Sequence, residues 1–208
     1  MDRRMWWTIA VVLALASIGI AQDNDEGHFD ASVGYSGVLS KTATSSNGAI
    51  TLTPTNSGAF LATIRFRFNR RHSIEANYGH TKNSQSYSIP PDTFRVQGGI
   101  SEYSGAYVIN LFQHGRLEPF LFAGAGALRF NPGASYIDGN PSEIGEIQQT
   151  SPAFLYGGGA DYRFWRIFAL RLQYRGLIYK EPSFGVSTLF TGVRGHMAEP
   201  SAGIVIKF

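Results

Sequence analysis

Residues 59–82 read AFLATIRFRFNRRHSIEANYGHTK, and this stretch decides the fold. Phe60, Ala62, Ile64, Phe66 and Phe68 fall on one parity, and Thr63, Arg65 and Arg67 on the other. That is the two-residue period of a β-strand. Four polar residues, Asn69–His72, interrupt the run. A second run follows, in which Ile74, Ala76 and Tyr78 oppose Ser73, Glu75 and Asn77. Two strands joined by so short a link form an antiparallel hairpin. One face of it is greasy and rich in rings. The other carries opposite charges.

The same pattern recurs in both directions. Eight alternating segments are predicted, near residues 28–39, 59–68, 73–82, 102–112, 119–130, 153–164, 168–178 and 201–208. On the fifth, Phe120, Phe122 and Leu128 are assigned to the ring-bearing face, with Ala123 and Ala125 opposite. The links Asn69–His72, Gln113–Glu118 and Trp165–Ile167 are short, while Ser40–Gly58, Asn83–Ser101, Asn131–Pro152 and Tyr179–Pro200 are long. Long and short alternate throughout, as in outer-membrane barrels with tight periplasmic turns and long outer loops.

Composition fits this reading. The 208 residues include 13% aromatics, 16% charged residues and 24 glycines, a profile that excludes disorder. The absence of cysteine removes disulfides and thiolate metal sites. A net charge of only +3 gives no basis for nucleic-acid binding. Arg3 and Arg4 precede an apolar stretch from Trp6 to Ile20, and the small residues Gly19 and Ala21 precede the polar segment Gln22–Glu26. Residues 1–21 therefore read as a helical export signal, with the barrel domain over residues 22–208. After residue 21 no apolar run reaches the ~20 residues of a spanning helix. A mature chain in a membrane must then span it as a closed barrel, since closure satisfies the backbone without helices.

Volume decides which face meets lipid. The inside of an eight-stranded barrel is just wide enough for side chains to fill it. Rings on nearly every strand therefore belong outside, and charges with small residues belong inside. The expected luminal ion-pair network is Asp30, Arg65, Arg67, Glu75, Asp161, Arg163, Arg171, Arg175 and Lys207, with Glu102 and Arg129 on the same face. Arg65 with Glu75 is the preferred pair. Ile204, Ile206 and the terminal Phe208 share one parity of the last strand and fit the signal read by the outer-membrane assembly machinery.

Taken in order, RFRFN (65–69), SIEANY (73–78), RLEPFLFAGAG (116–126), RLQYR (171–175) and EPSAGIVIKF (199–208) resemble the OmpA-like outer-membrane β-barrel superfamily. The resemblance covers residues 28–208. It implies an all-β, eight-stranded antiparallel transmembrane barrel in the outer membrane of a Gram-negative cell, in contact with lipid and lipopolysaccharide. No peptidoglycan-binding domain is expected after the barrel.

The leading functional expectation is a non-enzymatic barrel with a plugged lumen, serving membrane integrity or surface contact through its long loops. Neither a cofactor nor a metal is expected. A narrow pore or hydrophobic-ligand carrier is the alternative, and the basic excess among the luminal charges would favour anions. A lipid A-modifying enzyme is the third class. His196, Glu199 and Ser201 invite a triad reading, but their spacing along an extended strand opposes it. In the last long link, Phe184, Val186, Leu189 and Phe190 form either an adhesive tip or a cover on the barrel mouth.

Overall fold

The computed structural model describes residues 28–112, 115–142 and 145–208. The proposed signal segment, its cleavage site and His114 lie outside the described residues. Eight long strands form the wall: β1 (Phe29–Ser40), β4 (Ser57–Arg67), β5 (His72–Ile89), β6 (Asp92–Asn110), β7 (Leu117–Ile137), β9 (Gln149–Arg163), β10 (Phe168–Lys180) and β11 (Arg194–Lys207). Each pairs antiparallel with its neighbour in the wall, and β1 pairs with both β4 and β11, so the sheet closes. Three short strands decorate one end: β2 (Ala43–Thr44), β3 (Thr51–Pro54) and β8 (Asn140–Pro141). The links β4–β5, β6–β7 and β9–β10 and both ends of the wall lie at the opposite, lower end. There the Phe208 amide donates to the Phe29 carbonyl at 2.8 Å, beside the β1–β11 seam.

The pleat carries two opposite patterns along one strand. In the lower half of β10, Leu172 is 55% exposed on the outer face while Arg171 and Arg175 are buried in the lumen. Toward the upper end of the same strand Leu177 and Tyr179 are buried inside and Lys180 is exposed outside. β1 changes in the same way, from Val33 and Tyr35 outside and Asp30 and Ser32 inside to a fully buried Val38. The lower half is thus inverted, greasy outside and charged inside. The upper half has an ordinary apolar core of Val38, Leu52, Tyr87, Val96, Leu128, Phe130, Leu155, Leu177 and Met197.

This reversal explains where the sequence reading fell short. The expected loop 83–101 is instead the top of the β5–β6 hairpin, paired continuously from His72↔Ile109 to Ile89↔Asp92. Its outer residues Ser84, Ser86 and Ser88 face water, so no apolar stripe marks the strand. β3 extends the sheet beside it, pairing Thr51↔Ser88 through Pro54↔Gln85. Likewise β11 begins at Arg194 and not at Ser201. On β7 the assigned faces are reversed. Phe120, Phe122, Leu128 and Phe130 are buried inside, and Leu121 is 53% exposed outside with Ala123 and Ala125 on its face. Glycine makes the room: a Cβ on Gly157 would lie 2.5 Å from the Phe122 ring, so the rings fit only because β9 is bare there.

The inverted lower half makes a direct prediction. Leu172→Arg puts a cation mid-strand on the outer face and costs about 2–4 kcal/mol for folding into lipid vesicles. Urea titration of vesicle-folded protein reads this, and an unchanged midpoint contradicts the assignment.

Candidate functional site: the charged lumen and its upper plug

The register brings the luminal charges together strand by strand. Arg65 pairs directly with Glu75 across β4–β5, Arg171 with Asp161 across β10–β9, and Arg175 with Glu199 across β10–β11. Arg65 Nη2 lies 2.9 Å from Glu75 Oε2, and its Nε donates to the same oxygen at 3.2 Å. Arg171 grips Asp161 with two bonds, of 2.7 and 2.9 Å, and reaches Asp30 at 3.3 Å. Asp30 also accepts from Arg67 at 3.0 Å. Two parallel bonds to one carboxylate fix both side chains as well as holding them.

Glu118 and Asp161 sit directly opposite each other on β7 and β9, a repulsive arrangement unless a cation intervenes. Lys207 fills that place. Its Nζ bonds Glu118 and lies 3.5 Å from Asp161. Arg163 also bonds Glu118, with Arg67 at 3.6 Å. Higher in the lumen, Arg175 bridges Glu102 and Glu199, the latter at 3.0 Å. The Phe120 ring lies among the guanidiniums, 4.3 Å from Arg65 Cζ and 5.2 Å from Arg171 Cζ. Such cation–π contacts favour a desolvated guanidinium beyond its ion pairs.

All nine expected network residues therefore meet ionic partners in the lumen. Arg129 does not join them. It is exposed on the outer face and donates to Gln148 Oε1 at 2.6 Å. Glu118 and Glu199, which the sequence reading placed in a turn and a loop, join instead. The ion-paired luminal cations are Arg65, Arg67, Arg163, Arg171, Arg175 and Lys207, and their carboxylates are Asp30, Glu75, Glu102, Glu118, Asp161 and Glu199. Among the described residues six face six, and the expected basic excess vanishes there. Glu118 shares the parity of Phe120 and Phe122, the face assigned to lipid, so its luminal place and the outward turn of Arg129 both follow from the reversal on β7.

Above this layer the lumen is closed a second time. Residues 181–193 fold down into the mouth through one 3-10 turn, Ser187–Leu189. Phe184 and Leu189 are buried in the upper core, Val186 packs against it, and Phe190 is exposed. Gln149 Oε1 accepts from the amides of Ser183 and Phe184 at 2.9 and 2.8 Å, and the Tyr87 hydroxyl donates to the Pro182 carbonyl at 2.6 Å. The last link is thus a cover on the mouth, with only Phe190 left as a tip.

The three residues of the triad reading separate. His196 faces outward and stacks on Tyr156, its Nε2 2.9 Å from the Tyr156 hydroxyl. Glu199 points inward to Arg175, and the Ser201 hydroxyl reaches the Gln173 carbonyl. Among the described residues no cluster of three or more His, Cys, Asp or Glu is arranged to hold a metal.

The chain belongs to the outer membrane protein beta-barrel domain family, whose model matches residues 8–198. It is an outer-membrane barrel, and its lower end is the periplasmic one. Solved barrels of the same fold include Neisserial surface protein A, 16% identical, with a TM-score of 0.57 over 89% of this chain and 100% of that one. OprG from Pseudomonas aeruginosa is 14% identical, with a TM-score of 0.56 over 88% and 96%. Ail, the attachment invasion locus protein of Yersinia pestis, solved with the heparin analogue sucrose octasulfate, is 16% identical, with a TM-score of 0.51 over 88% and 100%. No curated protein matches the sequence.

Two predictions follow from the geometry. Glu75→Ala strands Arg65 in a dry lumen and destabilises the barrel by about 3–5 kcal/mol, whereas Arg65→Met with Glu75→Leu costs much less. The temperature of the heat-modifiable gel shift reads both, and equal losses refute the pairing argument. The second concerns Glu181, which is buried above the lipid-facing band beside Tyr179 and Tyr87, without a cationic partner among the described residues. Burial pushes its carboxyl from the ordinary 4.5 up to about 7, with a Tyr179 contact pulling the other way. The closed cover then binds more protons than the open one between pH 4.5 and about 7, so it loses stability as pH rises through that window. Hydrogen exchange at amides 183–189, corrected for intrinsic rate, rises from pH 5 to pH 8. Glu181→Gln abolishes the rise, and a flat wild-type profile contradicts it.

Proposed function

We propose that this protein is a closed, non-enzymatic barrel that reinforces the outer membrane and presents a rigid surface for contact at the cell exterior. The observation that carries the reading is double closure. A charge-neutral ion-pair layer fills the lower lumen, and an apolar core with a tied-down cover fills the upper lumen. Conduction through such a barrel requires both layers to open, and the balanced charges leave no preference for anions. Among the described residues the same closure argues against room for a hydrophobic cargo.

The surface role is supported by the upper half itself. The β5–β6 hairpin rises beyond the lipid-facing band and is buttressed by β3, so the exterior is built of packed sheet and not of loose loops. Rigid elements lose little entropy when a partner binds. Residues 1–21 serve as the export signal and residues 22–208 as the barrel. Ile204, Ile206 and Phe208, at the end of the closing strand, serve as the mark for the assembly machinery.

Reconstitution into planar bilayers tests the reading. The expected record has no discrete conductance steps, and lipid A from cells with and without the protein has the same acyl pattern. Ion-selective steps contradict the closed lumen, and an altered acyl pattern contradicts the non-enzymatic assignment.

A further inference from the structure

The upper rim carries a cationic patch that the closed lumen does not explain. Lys180 on β10 and Arg194 on β11 are direct cross-strand partners, both exposed on the outer face. His196 follows Arg194 by two residues on that face. Lys41 continues the β1 register beside it, its amide donating to the His196 carbonyl at 3.0 Å. Three adjoining strands therefore gather four basic side chains where the wall leaves its apolar band.

Like charges directly opposite on a sheet repel. In the lumen every such conflict is relieved by an ion of opposite sign. At the rim none is: among the described residues no carboxylate forms an ion pair with Lys41, Lys180 or Arg194. The nearby Glu181 is turned inward and buried. Lys180 Nζ lies 5.4 Å from the centre of the Phe190 ring. His196 is held by Tyr156, whose ring lies against Gly176, within 2.5 Å of a Cβ built there. The patch thus gathers basic side chains with no ion pair among the described residues.

Its surroundings define the missing anion. Just below the patch on the same strands lie Leu39, Ile178 and Tyr174, which face outward in the apolar band. A ligand filling both zones has acyl chains against those residues and negative charge one step above them. We propose that Lys41, Lys180, Arg194 and His196 form a binding site for the phosphate groups of a phosphorylated glycolipid in the outer leaflet. Two or more phosphates spread across the three strands relieve the Lys180–Arg194 repulsion, and the chains cover Leu39 and Ile178. The proposal rests on the membrane placement of the barrel and is independent of whether its lumen conducts.

The test uses the full mature chain folded in detergent micelles, with bis-phosphorylated lipid A, dephosphorylated lipid A, inorganic phosphate and a heparin oligosaccharide as separate probes. Each basic residue at a membrane surface contributes roughly fivefold to binding of an anionic lipid, so Lys180→Ser with Arg194→Ser weakens bis-phosphorylated lipid A about thirtyfold. Wild-type protein prefers it to the dephosphorylated form by a similar factor, a comparison that needs no variant. Heat resistance supplies a second readout. Without lipid A the double variant unfolds at the same temperature as wild type or higher, because repulsion is gone. With lipid A the order reverses. Equal affinity for phosphorylated and dephosphorylated lipid overturns the proposal, as does equal affinity of variant and wild type. Tight binding of inorganic phosphate at lipid A concentrations assigns the patch to a free anion and also overturns it. Binding of heparin but not lipid A, dependent on the same two residues, overturns it in favour of a soluble sulfated polymer.

Discussion

A charge held away from water must find its opposite within hydrogen-bonding distance, and the lower half of this barrel is organised by that requirement. A wall whose outer face suits hydrocarbon leaves its polar residues nowhere to go but the axis. An unpaired guanidinium there costs about 3–5 kcal/mol, a large part of the roughly 5–15 kcal/mol by which a folded domain is stable. The register therefore sets Arg65 against Glu75, Arg171 against Asp161 and Arg175 against Glu199. Where it sets two carboxylates face to face, at Glu118 and Asp161, Lys207 from the closing strand reaches between them. Barrel closure thus relieves that repulsion, because β11 carries Lys207 to the two facing carboxylates.

Rings and charges share the interior. Phe120 lies within cation–π distance of both Arg65 and Arg171, and Phe122 occupies the slot left by Gly157. Part of this narrow lumen is filled by the Phe120 ring laid among guanidiniums, and Gly157 of β9 provides the clearance for Phe122. Higher up the solvent changes and so does the rule. Beyond the lipid the outer face meets water, the apolar residues turn inward, and the segment 181–193 covers them. One continuous set of strands thus carries a membrane barrel below and a water-soluble barrel above. Two dissimilar layers close the axis, and this supports a reinforcing and surface-contact role over transport.

Much of this was legible in the sequence. Period-two alternation found the eight strands of the wall, and the volume of a small barrel fixed which face of most of them looks outward. Arg65 and Glu75 could be preferred as a pair because they share the luminal face of neighbouring strands, while the register that sets them directly opposite is read only from the structure. Three things were hidden for physical reasons. The tops of β5 and β6 are polar on the face that meets water, so hydropathy periodicity vanishes where the strands continue. β7 inverts the size rule, since Ala123 and Ala125 are apolar enough for lipid while Phe120 and Phe122 are flat enough for the lumen. Glu118 lies at the start of β7 and Glu199 in the first half of β11, which reads as loop from the sequence, so misplaced strand starts turn both luminal ligands into link residues. The upper plug is a tertiary event, and the apolar residues Phe184, Val186, Leu189 and Phe190 pointed to it only as one of two alternatives.

The central claim is the inside–outside assignment, including the inverted strand, and a nitroxide scan tests it most directly. Single cysteines at positions 170–175 of β10 and 119–127 of β7 are spin-labelled in vesicle-folded protein and probed with oxygen, which partitions into lipid. The account predicts oxygen maxima at positions 170, 172 and 174 and at 121, 123 and 125, with minima at 171, 173 and 175 and at 120 and 122. Maxima at 171 and 173, or at 120 and 122, would contradict it.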